Sequence, residues 1–166
     1  ESGIYLASGQ YNGSIGCVGF QVTGNNVYET FNNGILVIGG SRNVVQGNSV
    51  YGSANAGIQC WHVLDTVITG NSVYDSNRKT YNGIGVDGDA FGALVVDGNT
   101  GIGTGDYMVV IQNNTLLRCN QGRATAVYGI RVQQSTGSGA YPTASNKLVQ
   151  SDNSTDAAVF FDNPNS

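Results

Sequence analysis

One segment of the chain repeats itself after 23 residues. Gly34-Ile35 recurs as Gly57-Ile58, and the nine residues NVVQGNSVY at 43–51 recur as TVITGNSVY at 66–74. A fixed period in the twenties is typical of solenoid proteins, in which each repeat is one structural unit that stacks on the next. A single unit cannot bury its apolar side chains, whereas a stack buries them in one continuous column. The repeat therefore predicts a fold made of stacked coils.

Each repeat contains three short apolar stretches that are separated by turns rich in Gly and Asn. Gly and Asn accept the positive φ angles of tight turns, and the chain holds 25 Gly among its 166 residues. No window shows a sustained helical period, so helices are expected to be nearly absent. The pattern predicts an all-β parallel β-helix, a solenoid of about six to seven coils with three short strands in each coil.

Apolar residues alternate along the opening strand of each unit, so every second side chain is predicted to face the core. The predicted inward residues are Ile35, Val37, Ile58, Cys60, Ile84, Val86, Ile130 and Val132. The predicted outward residues are Leu36, Ile38, Gln59, Trp61, Gly85, Asp87, Arg131 and Gln133. In this register the fourth coil opens at residues 83–86, and Trp61 lies beside Asp87.

Two more columns follow from the same register. One turn repeats an amide side chain that can bond to the coils above and below it, at Asn25, Asn48, Asn71 and Asn99. An external aromatic row is predicted at Tyr28, Tyr51 and Tyr74, because each follows an inward Val. We call these three residues the tyrosine column.

Charge and composition exclude several classes of partner. The formal net charge is −4 and no basic stripe exists, so no nucleic-acid partner is predicted. No apolar run approaches the roughly 20 residues of a membrane-spanning helix, so no membrane partner is predicted. The three cysteines, Cys17, Cys60 and Cys119, lack a CxxC spacing and are expected to be buried, reduced thiols.

The chain opens on a strand-like sequence without an initiator Met or a signal peptide. We therefore expect residues 1–166 to be a single β-helix domain taken from a longer protein. Its last segment, residues 146–166, is expected to be a degenerate terminal coil followed by a polar tail.

The repeated unit, GI-x-V followed by NVV-x-GN-x-V-Y, resembles the right-handed parallel β-helix repeat of the pectate-lyase-like superfamily. That group includes pectin-active enzymes, alginate epimerases and the tailspikes of bacteriophages. The Asp-Pro-His motif of the epimerases is absent, as is the calcium-binding Asp cluster with a catalytic Arg that pectate lyases carry. The low charge and the richness in Gly, Asn and Ser are most similar to a tailspike. That resemblance implies a bacterial surface polysaccharide as partner and a virion or extracellular location.

Trp61 is the centre of the predicted substrate-binding face. An exposed Trp offers a flat apolar surface on which a sugar ring can stack, while polar neighbours bond to the sugar hydroxyls. The polar residues predicted to take part are His62, Gln59 and Arg131. In the alternative interpretation, a loop or a neighbouring subunit covers Trp61.

Asp87 and Asp89 are the predicted catalytic pair. Residues i and i+2 of a strand share a face with Cα atoms about 6.5–7 Å apart, and carboxyl groups separated by about 5–9.5 Å suit glycoside hydrolysis. The alternatives are a solvated turn and a Ca²⁺ site, although Ca²⁺ takes six to eight oxygen ligands. No metal site and no cofactor are predicted.

These residues together predict a polysaccharide-binding β-helix of a tailspike-like protein that also degrades its polysaccharide, as a hydrolase or a lyase. The alternatives are a non-catalytic glycan-binding module and a structural rod in a fibre. A homotrimer of parallel rods is also predicted, because Leu36, Ile38 and the tyrosine column would form an outward apolar patch that an interface buries.

Overall fold

The computed structural model describes residues 2–7, 18–61, 63, 65–78, 80–81, 84–85, 92–97, 108–119, 128–133, 147–151, 153–155 and 159–161. Their strands in the first half of the chain are β1 (Ile4–Ala7), β2 (Gln21–Thr23), β3 (Asn26–Tyr28), β4 (Ile35–Ile38), β5 (Val44–Gln46), β6 (Ser49–Tyr51), β7 (Ile58–Trp61), β8 (Thr66–Thr69), β9 (Ser72–Tyr74), β10 (Thr80–Tyr81) and β11 (Ile84–Gly85). The later strands are β12 (Gly92–Asp97), β13 (Met108–Gln112), β14 (Thr115–Leu117), β15 (Tyr128–Gln133), β16 (Lys147–Ser151), β17 (Ser154–Thr155) and β18 (Val159–Phe161). None of the residues so described belongs to a helix long and apolar enough to span a membrane.

Three parallel sheets run along the molecule. The first sheet has the order β1-β4-β7-β12-β15-β18, the second β2-β5-β8-β13-β16, and the third β3-β6-β9-β14-β17. Successive strands from the three sheets make one coil, so the described strands form five complete coils and β18 begins a sixth. Strands β10 and β11 form a separate antiparallel pair. This arrangement confirms the predicted all-β, three-stranded parallel β-helix.

The core is a column of apolar side chains enclosed by the three sheets. Its fully buried members include Ile35, Val37, Ile58, Cys60, Leu94, Val96 and Ile130 from the first sheet, Val45, Ile68 and Ile111 from the second, and Val50, Val73 and Leu116 from the third. The predicted alternation of the first-sheet strands is thereby confirmed in the second and third coils. Cys60 and Cys119 are buried as predicted, whereas Cys17 lies outside the described residues.

The glycine that precedes each opening Ile is required by close packing. A Cβ atom added at Gly34 would collide with the side chain of Val50, and one added at Gly57 would collide with Val73. Both Val residues come from the third sheet of the same coil. The repeated Gly-Ile pair therefore marks the place where the start of the first sheet approaches the third sheet most closely.

Each coil turns at three corners, and a residue with positive φ stands at each of them. The first corner has Gly19, Arg42 and Asp65; the second has Gly24, Gly47, Gly70 and Asn113; the third has Glu29, Gly52, Asp75 and Arg118. Gly adopts this conformation without a steric penalty, whereas a residue with a side chain costs about 1–2 kcal/mol there. The corners thus explain why Gly and Asn recur in the sequence.

Buried asparagines follow the second corner and bond to one another through the whole stack. Asn48 Nδ2 donates to Asn71 Oδ1 at 2.9 Å, and Asn71 Nδ2 donates to Asn114 Oδ1 at 2.9 Å. Asn25 and Asn153 occupy the two ends of this asparagine ladder. The predicted ladder is confirmed for its first three members. The place assigned to Asn99 was wrong, because Asn114 holds that position and Asn99 lies outside the described residues.

The register predicted for the fourth coil was also wrong. Strand β12, not residues 83–86, pairs with β7, so Leu94 is the partner of Ile58. Ile84-Gly85 instead pairs antiparallel with Thr80-Tyr81. Gly weakens a strand interior, whereas β12 offers an apolar run in which Leu94 and its neighbours are almost fully buried. The longer, more apolar segment therefore takes the place in the first sheet.

The residues that follow β9 lie against the coils. Asn77 is 0% exposed, and its backbone N–H donates to the carbonyl of Asn55 at 2.8 Å. Arg78 is half-buried, and its backbone N–H donates to the carbonyl of Ser53 at 3.3 Å. The inserted segment between the third and fourth coils thus begins as part of the body of the β-helix.

Candidate functional site

The outer face of the first sheet presents two rows of positions in register along the stack. One row contains Tyr5, Leu36, Gln59, Val95 and Arg131, and the other contains Ala7, Ile38, Trp61, Asp97 and Gln133. Successive positions in each row are about 4.8 Å apart, which is the spacing of neighbouring strands. Trp61 and Gln59 lie on the same strand and face, as the sequence predicted.

Trp61 is an exposed aromatic side chain in a part of this face where other outward positions are buried. It is 38% exposed, whereas its register partner Ile38 on β4 is 4% exposed and Val95 on β12 is 1% exposed. Both Ile38 and Val95 stand at outward positions and are nevertheless buried. Trp61 therefore lies beside buried positions and keeps a surface that a ligand can reach.

The predicted neighbour of Trp61 was wrong. Because β12 forms the next strand, the register partner of Trp61 is Asp97 and not Asp87. Asp87, Asp89 and His62 lie outside the described residues, so their roles stay predictions. The placement of Asp97 depends on the length of the insertion that precedes β12, so the 23-residue repeat does not predict it.

Gln59 is held by a residue that the sequence did not point to. Asn33 Nδ2 donates to Gln59 Oε1 at 3.0 Å, and Asn33 is only 2% exposed. This buried amide fixes the orientation of the half-buried Gln59 side chain two residues before Trp61. The repeat does not predict this hydrogen bond, because Asn33 and Gln59 are 26 residues apart and the period is 23.

Arg131 is half-buried and stands two coils away from Gln59 in the same row, with Val95 between them. Their Cα atoms are therefore about 9–10 Å apart. The structure thus brings Trp61 and Gln59 together and places Arg131 farther along the same face. Within the described part of the chain, no group of three or more His, Cys, Asp or Glu side chains could hold a metal ion.

The tyrosine column lies on the third sheet, in register as predicted. Tyr28 is 62% exposed and Tyr51 is 42% exposed, while Tyr74 is half-buried. Arg118 bonds to the Asp75 carboxylate beside this column, and that hydrogen bond is the main reason why the pKa of Asp75 is lowered. The described residues thus present exposed aromatic side chains on two separate sheets, the first and the third.

Comparison with known proteins gives one match and two negative results. The family model described as the right-handed β-helix region matches residues 2–163, almost the whole chain. No curated protein and no solved structure gives a significant match. The match and the three parallel sheets agree on the fold and its hand. The chain belongs to the family of right-handed β-helix proteins.

Proposed function

We propose that this β-helix binds a polysaccharide on the outer face of its first sheet, with a sugar ring stacked on Trp61. The observation that carries the proposal is the 38% exposure of Trp61 beside Ile38, which is 4% exposed. A sugar ring that covers the indole removes apolar surface from water, at about 25 cal/mol per Å². The family is common among polysaccharide-active proteins, which supports the same class of ligand.

Gln59 supplies the polar part of this binding site. Asn33 holds the Gln59 amide in one orientation, so a sugar hydroxyl meets a preorganised group rather than a mobile side chain. Directed hydrogen bonds of this kind select the orientation of a sugar that stacks on a neighbouring aromatic ring. The pair Trp61 and Gln59 therefore combines apolar contact area with polar selectivity on one strand.

We further propose that the bound polysaccharide is cleaved close to Trp61, by hydrolysis or by elimination. Asp97 occupies the strand position next to Trp61, about 4.8 Å away along the stack. A carboxylate near the scissile bond can act as a general acid or a general base. Asp87 and Asp89 remain the predicted catalytic pair, and Asp97 joins them as a candidate.

The proposal is tested with a panel of bacterial capsular and O-antigen polysaccharides, by titration calorimetry and by sizing of the products. Trp61→Ala is expected to weaken binding at least about tenfold, or 1.4 kcal/mol. Asp97→Asn is expected to retain binding and to release fewer products. Val18→Ala is the control, because Val18 is an exposed apolar residue, 59% exposed, that belongs to no strand of the first sheet. Unchanged binding by Trp61→Ala would contradict the proposal.

The same proposal includes a tailspike-like role and a location in a virion or outside the cell, where the protein would meet such a polysaccharide. The predicted homotrimer stays a prediction. The apolar patch that motivates it is smaller than expected, because Ile38 is already buried within one chain and Leu36 is half-buried. Sedimentation at micromolar concentration tests it directly. A purely structural rod would bind no member of the polysaccharide panel.

A further inference from the structure

Ordered charges surround the tyrosine column on the third sheet. Arg118 donates from Nε and Nη2 to the two carboxylate oxygens of Asp75, the second at 2.9 Å. The same guanidinium lies 5.8 Å from the centre of the Tyr74 ring, and the Tyr51 hydroxyl is close enough to help lower the pKa of Asp75. The Asp75–Arg118 pair therefore lies beside both Tyr51 and Tyr74 of the column.

A second ion pair extends this network toward Tyr28. Arg78 reaches across Gly52 and bonds through Nη1 to Glu29, two coils away. A Cβ atom at Gly52 would lie 2.9 Å from Arg78 Nη1, so the missing side chain leaves the path open. Along the axis the charges alternate in sign, so the surface offers ordered donors and acceptors without an excess of either charge.

A row of hydroxyl groups runs beside the tyrosine column. Ser49, Ser72 and Thr115 are half-buried and in register on β6, β9 and β14. Ser49 shares its strand and face with Tyr51, and Ser72 with Tyr74, so the Cα atoms of each pair are about 7 Å apart along the strand. Hydroxyl groups both donate and accept hydrogen bonds, as the hydroxyls of a sugar also do.

These features favour a glycan over a protein partner for this surface. A protein interface would remove the two ion pairs from water, and the cost of desolvating charges can exceed their mutual attraction. A glycan can replace the lost water with its own hydroxyl groups, which bond to carboxylates, guanidinium groups and serines alike. Because the charges balance along the column, a neutral glycan fits better than an acidic one.

We propose that a neutral glycan chain lies along the tyrosine column, parallel to the axis of the β-helix. Sugar rings contact Tyr28 and Tyr51, and their hydroxyls bond to the Asp75–Arg118 pair and to Ser49. This site is on different strands from Trp61, and the proposal does not depend on the function proposed above.

The test uses dextran and laminarin as neutral probes and hyaluronan as an acidic probe, with titration calorimetry and saturation-transfer NMR. At least one neutral probe is expected to bind, and hyaluronan at least about tenfold more weakly. Tyr51→Ala is expected to weaken neutral binding about tenfold, and Tyr51→Phe, which loses only the hydroxyl, about threefold. Val18→Ala serves as the control that leaves this binding unchanged. Thermal unfolding verifies that each variant is folded.

Three results would overturn the inference. The wild-type protein could bind neither neutral probe. Trp61→Ala alone could abolish neutral binding while Tyr51→Ala has no effect, which would support the first-sheet site and remove this one. Finally, Tyr51→Ala could convert an oligomer to a monomer in sedimentation without changing glycan binding, which would show that the column contacts a second copy of the chain.

Discussion

The second and third corners of the β-helix turn the chain in the same way, but different side-chain interactions connect the coils there. The second corner uses buried amide hydrogen bonds, and the third uses ion pairs at the surface. Both corners use residues with positive φ in successive coils. After the second corner, buried amides such as Asn71, 1% exposed, bond to the coils on either side. At the third corner the charged side chains reach the surface: Arg118 is 55% and Asp75 14% exposed in one pair, and Arg78 is 35% and Glu29 48% exposed in the other.

This difference in burial separates a corner that supports the fold from one that is available for recognition. A buried polar group that loses its partner costs about 1–3 kcal/mol, whereas an exposed ion pair contributes about 0–1 kcal/mol. The second corner should therefore tolerate little change in its asparagines. The third corner can vary its charged residues at little cost to stability, which suits a surface that binds a ligand.

The largest effect is expected when the asparagine ladder is broken in its middle. Asn71→Ala removes the acceptor of the Asn48 backbone N–H and Nδ2, and the donor to the Val45 carbonyl at 2.9 Å. Because several buried groups lose partners at once, we expect the free energy of unfolding to fall by at least about 3 kcal/mol. Urea unfolding followed by circular dichroism measures this loss.

Asn25→Ala provides the matched control at the end of the ladder. Asn25 is half-buried, and its Nδ2 donates to Asn48 Oδ1 at 3.0 Å and to the Thr23 carbonyl at 3.2 Å. Water can replace part of these bonds, so a loss of only about 1 kcal/mol is expected. Equal losses for Asn71→Ala and Asn25→Ala would show that burial does not set the strength of the ladder.

Two glycines, one at each corner, allow a finer comparison. Gly47 and Gly52 have φ of 64° and 74°, so Ala at either position meets a backbone penalty of about 1 kcal/mol. A Cβ at Gly47 would have no atom within 4 Å, whereas one at Gly52 would lie 2.9 Å from Arg78 Nη1. We expect Gly52→Ala to cost up to about 1 kcal/mol more, because it displaces the Arg78–Glu29 pair.

Unfolding in urea at low and at high salt separates the two costs of Gly52→Ala. The backbone penalty is insensitive to salt, whereas an exposed ion pair is screened at about 1 M salt. The excess of Gly52→Ala over Gly47→Ala should therefore disappear at high salt. An excess that persists would indicate a steric conflict that the flexible side chains of Glu29 and Arg78 cannot relieve.

The regular coils were predictable from the sequence because all of their corners have the same length. Ile35 and Ile58 are register partners 23 residues apart, and the same step relates Tyr28, Tyr51 and Tyr74. The next partner, Leu94, comes 36 residues after Ile58, because an insertion with its own antiparallel strands intervenes. A Gly-Ile pair inside that insertion has the same sequence as the start of a coil. The 23-residue period alone does not exclude it as the start of the fourth coil.

The candidate site was predictable only as far as the direction of its side chains. Alternation gave the outward positions of Trp61 and Gln59, which depend on local backbone geometry. The burial of Ile38 and Val95 at outward positions does not follow from alternation, which predicts the direction of a side chain and not its exposure. The Asn33–Gln59 hydrogen bond joins side chains at non-equivalent positions of different coils, so the repeat in the sequence does not predict it.

The smallest expected effect is the pH dependence of the third corner. The hydrogen bond from Arg118 holds the pKa of Asp75 below its usual value, with help from the Tyr51 hydroxyl and against the effect of burial. The stabilisation is therefore complete above the pKa that Asp75 has in the unfolded chain, and it is lost as pH falls through the folded-state pKa. Because Arg118 is largely exposed, we expect a contribution of roughly 0.5 kcal/mol. Urea unfolding between pH 7 and pH 2 should show a shallower acid loss for Asp75→Asn than for the wild type, and parallel curves would mean that the pair does not stabilise the fold.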